Sequence, residues 1–160
     1  MGFFKNLFNK TELEPTSNKD GRDFSSFNNF GQIGDIFSYH RYSNIPLTIQ
    51  SALAVHRIIE HRKSDAINNR SIYHSLRYVD LTDRDLSHFE KFDNEIRNSL
   101  FCVASMNKNG FIREKAIRYI LEKPSKTTFS FILFRLSDWV PSIREVTKCI
   151  FSYIWSQTPL

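Results

Sequence analysis

From Ile45 onward the apolar positions recur at helical spacing. Ile49, Ala52, Leu53, Val55, Ile58 and Ile59 form a stripe that predicts a helix from Ile45 to Lys63. Pro46 stands near its start, where a missing N–H costs little, and Arg62 and Lys63 in the last turn complement the helix dipole. Residues 66–81 have two readings. Ile72, Leu76 and Val79 share one helical face, whereas Tyr73, Tyr78 and Val79 favour a strand; helix is preferred because the neighbours are helical. Thr82 followed by Asp85 has the form of a capping box and opens a short helix through Leu86, Phe89 and Phe92. Asp93 or Asn94 then caps a helix reaching Met106. Farther on, Phe129, Ile132, Leu133 and Leu136 form one apolar face, and Phe131 and Phe134 another. A helix apolar on two faces must lie between neighbours.

Residues 9–44 are the least regular stretch. Thr11 to Arg22 is polar, contains Pro15, Asn18 and Gly21, and reads as an exposed loop. Phe24, Phe27 and Phe30 recur at spacing three before Gly31 and Gly34 interrupt, and Phe37, Tyr39 and Tyr42 follow. The expectation is a short helix and an aromatic loop covering one end of the core. Ahead of them, Phe3, Phe4, Leu7 and Phe8 form an apolar cluster too short for a signal peptide or a membrane span. Met1-Gly2 opens like a myristoylation signal, but Asn6 stands where Ser or Thr is required.

Shifting the sequence by 31 residues superimposes two segments. Asn107 falls on Asp138, Leu100-Phe101-Cys102-Val103 falls on Phe131-Ile132-Leu133-Phe134, and Ile-Arg-Glu recurs at 112–114 and 143–145. Each copy is a helix, a tight turn containing Gly110 or Pro141, and a second helix. The second helices carry narrower stripes, Ile112, Ala116, Tyr119 and Ile120, then Ile143, Val146, Ile150 and Ile154. This pattern resembles the HEAT repeat family, whose repeats carry Asp or Asn in the turn and Arg six residues later. Asn107 with Arg113 and Asp138 with Arg144 keep that spacing, and Leu136 to Glu145 is the strongest match. The resemblance covers about residues 94–155. It implies a hydrogen-bonded ladder between neighbouring repeats, built from the turn carboxylate and the Arg. The expected fold is all-α: an α-solenoid-like helical repeat of two HEAT-like repeats behind an irregular aromatic-rich N-terminal segment. The expected division of the single domain 1–160 is 1–44 irregular, 45–93 helical lead-in and 94–155 repeats.

Composition adds the electrostatics. Of 160 residues, 41% are hydrophobic and 24% charged, which speaks against global disorder. The net charge of +5 is uneven: residues 106–160 hold nine basic and four acidic side chains, so the excess lies on the repeats. Such an excess attracts acidic proteins, nucleic acids or anionic membranes, or simply keeps a surface solvated. Two cysteines, Cys102 and Cys149, sit in apolar helical patterns and are expected to be buried free thiols, which fits a reducing compartment and a cytoplasmic protein.

The residues point to no catalytic constellation. His56 and His61 are five apart and fall on different helix faces, unlike the i, i+4 pair a metal needs. Neither cysteine has a local partner among His74 and His88, and no Gly-rich phosphate loop exists. Some bacterial DNA glycosylases are built from HEAT-like repeats and use an Asp, a Trp and an Arg. Asp138, Trp139 and Arg144 supply those types, but at ordinary ladder positions, so a structural role is expected for Asp138 and Arg144. Trp139 aligns with Lys108, so the repeat itself requires no aromatic there. Packing against the preceding helix is the favoured reading for it, and a partner hot spot is the other.

The leading expectation is therefore a non-catalytic protein-binding module without cofactor, metal or membrane association, neutralising or regulating a partner in the manner of an immunity protein or antitoxin. The alternative is a weak, non-specific nucleic-acid binder. Lys115, Arg118, Arg135 and Lys148, with Lys108, Lys123 and Lys126 nearby, would be its phosphate contacts. A DNA glycosylase ranks last. The final helix is apolar nearly all round and ends the array without a polar cap. Phe151, Ile154 and Trp155 are accordingly expected to form an association surface, most simply for a homodimer or a partner.

Overall fold

The computed structural model describes residues 22–62 and 70–156, excluding the side chains of residues 70, 71, 126, 151 and 153–156. The apolar cluster at Phe3–Phe8 thus lies outside the described residues, and the side chains of Phe151, Ile154 and Trp155, the expected association face, lie outside what is described. Those described are all-α, with eight helices and no strand. None of the helices is long and apolar enough to cross a membrane.

The segment expected to be irregular contains the first of them, α1, Phe30–Tyr42. A capping box starts it: Asn29 Oδ1 accepts the Gln32 N–H at 3.2 Å, and Gln32 Oε1 accepts the Asn29 N–H at 3.1 Å. Gly31 and Gly34 lie inside the helix rather than breaking it. Their propensity cost, about 1 kcal/mol each, is offset by burial of Phe30, Ile33, Ile36 and Phe37, worth about 1.5–3 kcal/mol per side chain. Asn44 takes the left-handed conformation, φ 52°, and the Ile45 N–H reaches back to the His40 carbonyl, which closes the helix.

Helix α2, Ile49–Arg62, begins later than the stripe predicts. Thr48 Oγ1 accepts the Ser51 N–H at 3.3 Å and so acts as the cap, while Pro46 stays in the approach. The approach buries Leu47, whose carbonyl accepts His88 Nε2–H at 2.9 Å. The buried face of α2 is Ser51, Ala52, Val55, Ile58 and Ile59; Ile49 and Leu53, counted in the stripe, are exposed.

After it come α3, Arg70–Leu76, and α4, Asp83–Phe89. Helix therefore wins over strand at 70–76, where Ile72 and Leu76 are buried on one face; the helix stops short of Val79, which is buried in the turn that follows. Asp85 Oδ2 accepts the Thr82 N–H at 2.7 Å at the head of α4. The remaining helices are α5, Asn94–Ser105; α6, Gly110–Glu122; α7, Lys126–Arg135; and α8, Pro141–Ser156. Asp93, Asn109 and Ser125 cap α5, α6 and α7 through their side chains.

Helix α5 is the centre of the molecule. Residues 98–105 are buried without a break, and α2, α4, α6 and α7 all pack on it. Helix α6 packs on α5 as α8 packs on α7, and across the pair α5 meets α7 and α6 meets α8. The pairs α5–α6 and α7–α8 are thus two units that touch through their first helices and through their second helices. Phe131 and Ile132 of α7 are fully buried, Ile112, Ala116 and Ile120 line α6, and Tyr119 stacks on Phe101 at 4.6 Å between ring centroids. One cysteine departs from expectation. Cys102 is fully buried, which pushes its thiol pKa well up, but Cys149 is exposed. The buried side of α8 is set by Ile143, Thr147 and Ile150, and Cys149 lies off it.

Candidate functional site

The 31-residue offset recurs in the hydrogen bonds of the two turns. Arg113 Nη1 donates to the carbonyls of Asn107 and Lys108 at 2.9 and 2.8 Å. Arg144 Nη1 donates to those of Asp138 and Trp139 at 2.8 and 3.1 Å. Asn107 Oδ1 accepts the Asn109 N–H at 2.8 Å, and Asp138 Oδ1 accepts the Val140 N–H at 3.0 Å. In each unit the Arg of the second helix and the turn side chain brace the same loop from opposite sides.

Between the units the two turns are joined directly. Arg113 grips Asp138 with both prongs, Nε to Oδ2 at 3.0 Å and Nη2 to Oδ1 at 3.1 Å. The chain before them is tied in the same row. Asn107 Nδ2 donates to the Val79 carbonyl at 2.6 Å and the Lys108 N–H to the Arg77 carbonyl at 2.8 Å. Three consecutive turns, at 77–79, 107–109 and 138–140, are linked edge to edge.

Arg135 shares the same carboxylate, with Nη1 2.8 Å from Asp138 Oδ2. The expected role of Arg135 as a phosphate contact is thereby overturned. Arg135 is buried against Asp138, its Nη2 faces Met106 Sδ, and its Nε has no hydrogen-bond partner. Its guanidinium lies over the Phe134 ring at 4.8 Å and the Tyr73 ring at 5.4 Å. Burial lowers the pKa of Arg135 despite the contact with Asp138. At Asp138 burial acts to raise the pKa, but the Val140 N–H, Arg135 and Arg113 outweigh it, and the net shift is downward.

Outside this braced row stand three large aromatics. Tyr78, Phe111 and Trp139 are 62%, 82% and 78% exposed. The favoured expectation for Trp139, packing on the preceding helix, is therefore overturned: its neighbours in the turn are held by backbone contacts, which leave the indole outside. The three belong to one edge. Lys108 Nζ lies 5.7 Å from the Tyr78 ring centroid, and a Cβ on Gly110 would stand 3.6 Å from Val140 Cγ2, placing Phe111 beside the Trp139 turn. Tyr78 enters the sequence reading only as a residue that favours a strand, and Phe111 lies off the stripe of Ile112, Ala116, Tyr119 and Ile120; their place next to a turn is what marks them.

The other candidate residues are placed differently. Lys115 pairs with Asp83 at 2.8 Å, Arg118 with Glu114 at 2.7 Å and Lys148 with Glu145 at 2.9 Å, all three cations on exposed helix positions. His56 Nδ1 is 2.8 Å from Ser99 Oγ, while His61 is exposed. Among the described residues no group of three or more His, Cys, Asp or Glu side chains is placed to hold a metal ion. A cleft of about 730 Å³ between α1 and α2 contains Ser51, whose Oγ lies 2.7 Å from His40 Nε2 and 3.0 Å from Thr48 Oγ1. Ser51 is 2% exposed in the first turn of α2, so its hydroxyl serves the helix entry and is not offered to a substrate. No family model, curated protein or solved structure matches this chain.

Proposed function

We propose that this chain is a non-catalytic protein-binding module of HEAT-like helical repeats, docking a partner along the turn edge of Tyr78, Phe111 and Trp139. The repeat reading is supported by the matched Arg113 and Arg144 bonds and by the like-on-like contacts of α5–α8. One observation carries the docking reading: Tyr78 and Trp139, exposed on the turns at 77–79 and 138–140, and Phe111, exposed in the first turn of α6, stand on segments that buried hydrogen bonds fix relative to one another. Tyr and Trp are the side chains most enriched where interfaces concentrate their energy, and a rigid platform reduces the entropy lost on association. The nucleic-acid alternative draws less support, because Lys115, Arg118 and Lys148 face carboxylates and Arg135 is buried. Affinity capture from the native cell, comparing wild type with the Phe111→Ala/Trp139→Ala variant, tests the proposal. A captured protein lost from the variant, with thermal stability unchanged, is the expected result. Capture of the same proteins by both would end the reading.

A further inference from the structure

The cations of the turn edge differ from those elsewhere on the repeats. Lys115, Arg118 and Lys148 each have a carboxylate within 3 Å. Arg77, Lys108 and Arg144, which flank the exposed aromatics, have no salt bridge among the described residues. Arg77 lies over Tyr78 at 5.0 Å and keeps a buried Nε without a hydrogen-bond partner. The acids nearest the edge are engaged: Asp80 with Arg41, Glu114 with Arg118 and Ser142, and Asp138 with Arg113 and Arg135. The edge therefore combines exposed aromatics with three cations that no carboxylate pairs among the described residues, Arg144 using one nitrogen on the Asp138 and Trp139 carbonyls.

We infer that this edge receives an extended acidic segment of another protein, its carboxylates meeting Arg77, Lys108 and Arg144 and its apolar side chains lying on Phe111 and Trp139. The inference rests on the protein-docking reading above and names the chemistry of the partner. Packed elements stand about 8–10 Å apart, so three turns span roughly 20 Å, and about six residues of extended chain at about 3.3 Å each cover them. Successive side chains of such a segment point to opposite sides, so the acidic and apolar residues that both face the edge stand two positions apart. A single-stranded nucleic acid fits less well. It needs open ring faces and a basic groove that follows the backbone, whereas cations already crowd the Tyr78 ring and the neighbouring basic side chains are neutralised.

The test is selection of random dodecapeptides displayed on phage against the immobilised full chain. Enriched peptides should carry Asp or Glu and apolar residues two positions apart. Their affinity should fall at least about tenfold for Lys108→Glu and for Trp139→Ala, with melting temperatures unchanged. Peptides that depend on Trp139 but lack acidic enrichment and ignore Lys108→Glu would overturn the acidic partner and leave the docking reading standing. Failure to enrich any peptide, enriched peptides indifferent to both substitutions, or a single-stranded dodecanucleotide that outcompetes them would overturn both.

Discussion

At the first turn Asn107 faces a backbone carbonyl, that of Val79; at the second, Asp138 faces two guanidinium groups. Both side chains accept an N–H from their own loop, and both loops are braced by an Arg six residues on. What differs is the neighbour on the upstream side. The segment before Asn107 offers an oxygen, so the turn must supply a donor; the unit before Asp138 offers Arg113, so the turn must supply an acceptor. A position that one family pattern writes as Asp or Asn is thus decided here by what the preceding element presents.

The comparison breaks most sharply at Asp138. Asp138→Ala would leave Arg113 and Arg135 buried without a counter-charge, and removing one partner of a buried pair costs about 3–5 kcal/mol. Urea unfolding should show a loss of that size, well above the loss from Asn107→Ala; equal losses would mean the two turns are energetically alike. Next is the exchange Asn107→Asp. Its carboxylate would oppose the Val79 carbonyl in place of a 2.6 Å hydrogen bond, an expected cost of about 1–3 kcal/mol or more. Protonation would restore a donor, so the defect should shrink as pH falls; a pH-independent defect would reject this account.

Smaller effects sharpen the contrast between the two Arg residues. Arg144 keeps the carbonyl contacts of Arg113 but, among the described residues, no carboxylate, and it is only half-buried. Arg144→Ala should cost about 1 kcal/mol, and a loss as large as that of Arg113→Ala would show the carboxylate to be irrelevant. The smallest signal is the pH dependence of Asp138. Its folded pKa lies below the ordinary value, so its contribution is complete above about pH 4 and is lost as pH falls through the lowered folded value. The stability difference between wild type and Asp138→Asn should therefore narrow only in acid; a difference that widened there would reverse the assigned shift.

The sequence carried the all-helical character well and the details of burial poorly. The 31-residue offset was visible because Ile-Arg-Glu and the turn side chains repeat in register, and the hydrogen bonds at Arg113 and Arg144 follow the same register. Helix α1 reads in the sequence as a short helix and an aromatic loop because Gly31 and Gly34 draw more notice than a capping pair; yet Asn29 and Gln32, three apart before Ile33 and Ile36, signal one helix through Tyr42. Arg135 was misassigned because an Arg at a helix end reads as solvated, and only its spacing of three from Asp138 hints otherwise. Exposure of Phe111 and Trp139 depends on which elements pack over a turn, a long-range property that periodicity does not encode.

Asp138 has no spare bonding capacity: Oδ1 takes Arg113 Nη2 and the Val140 N–H, and Oδ2 takes Arg113 Nε and Arg135 Nη1. A carboxylate has about four lone-pair sites, and all are filled. In a diverging lineage this ties three positions into one heritable unit. Residue 113 or 135 can drift away from Arg only after, or together with, a change at 138, whereas Trp139, one step along the chain and largely exposed among the described residues, is free to follow whatever surface it meets.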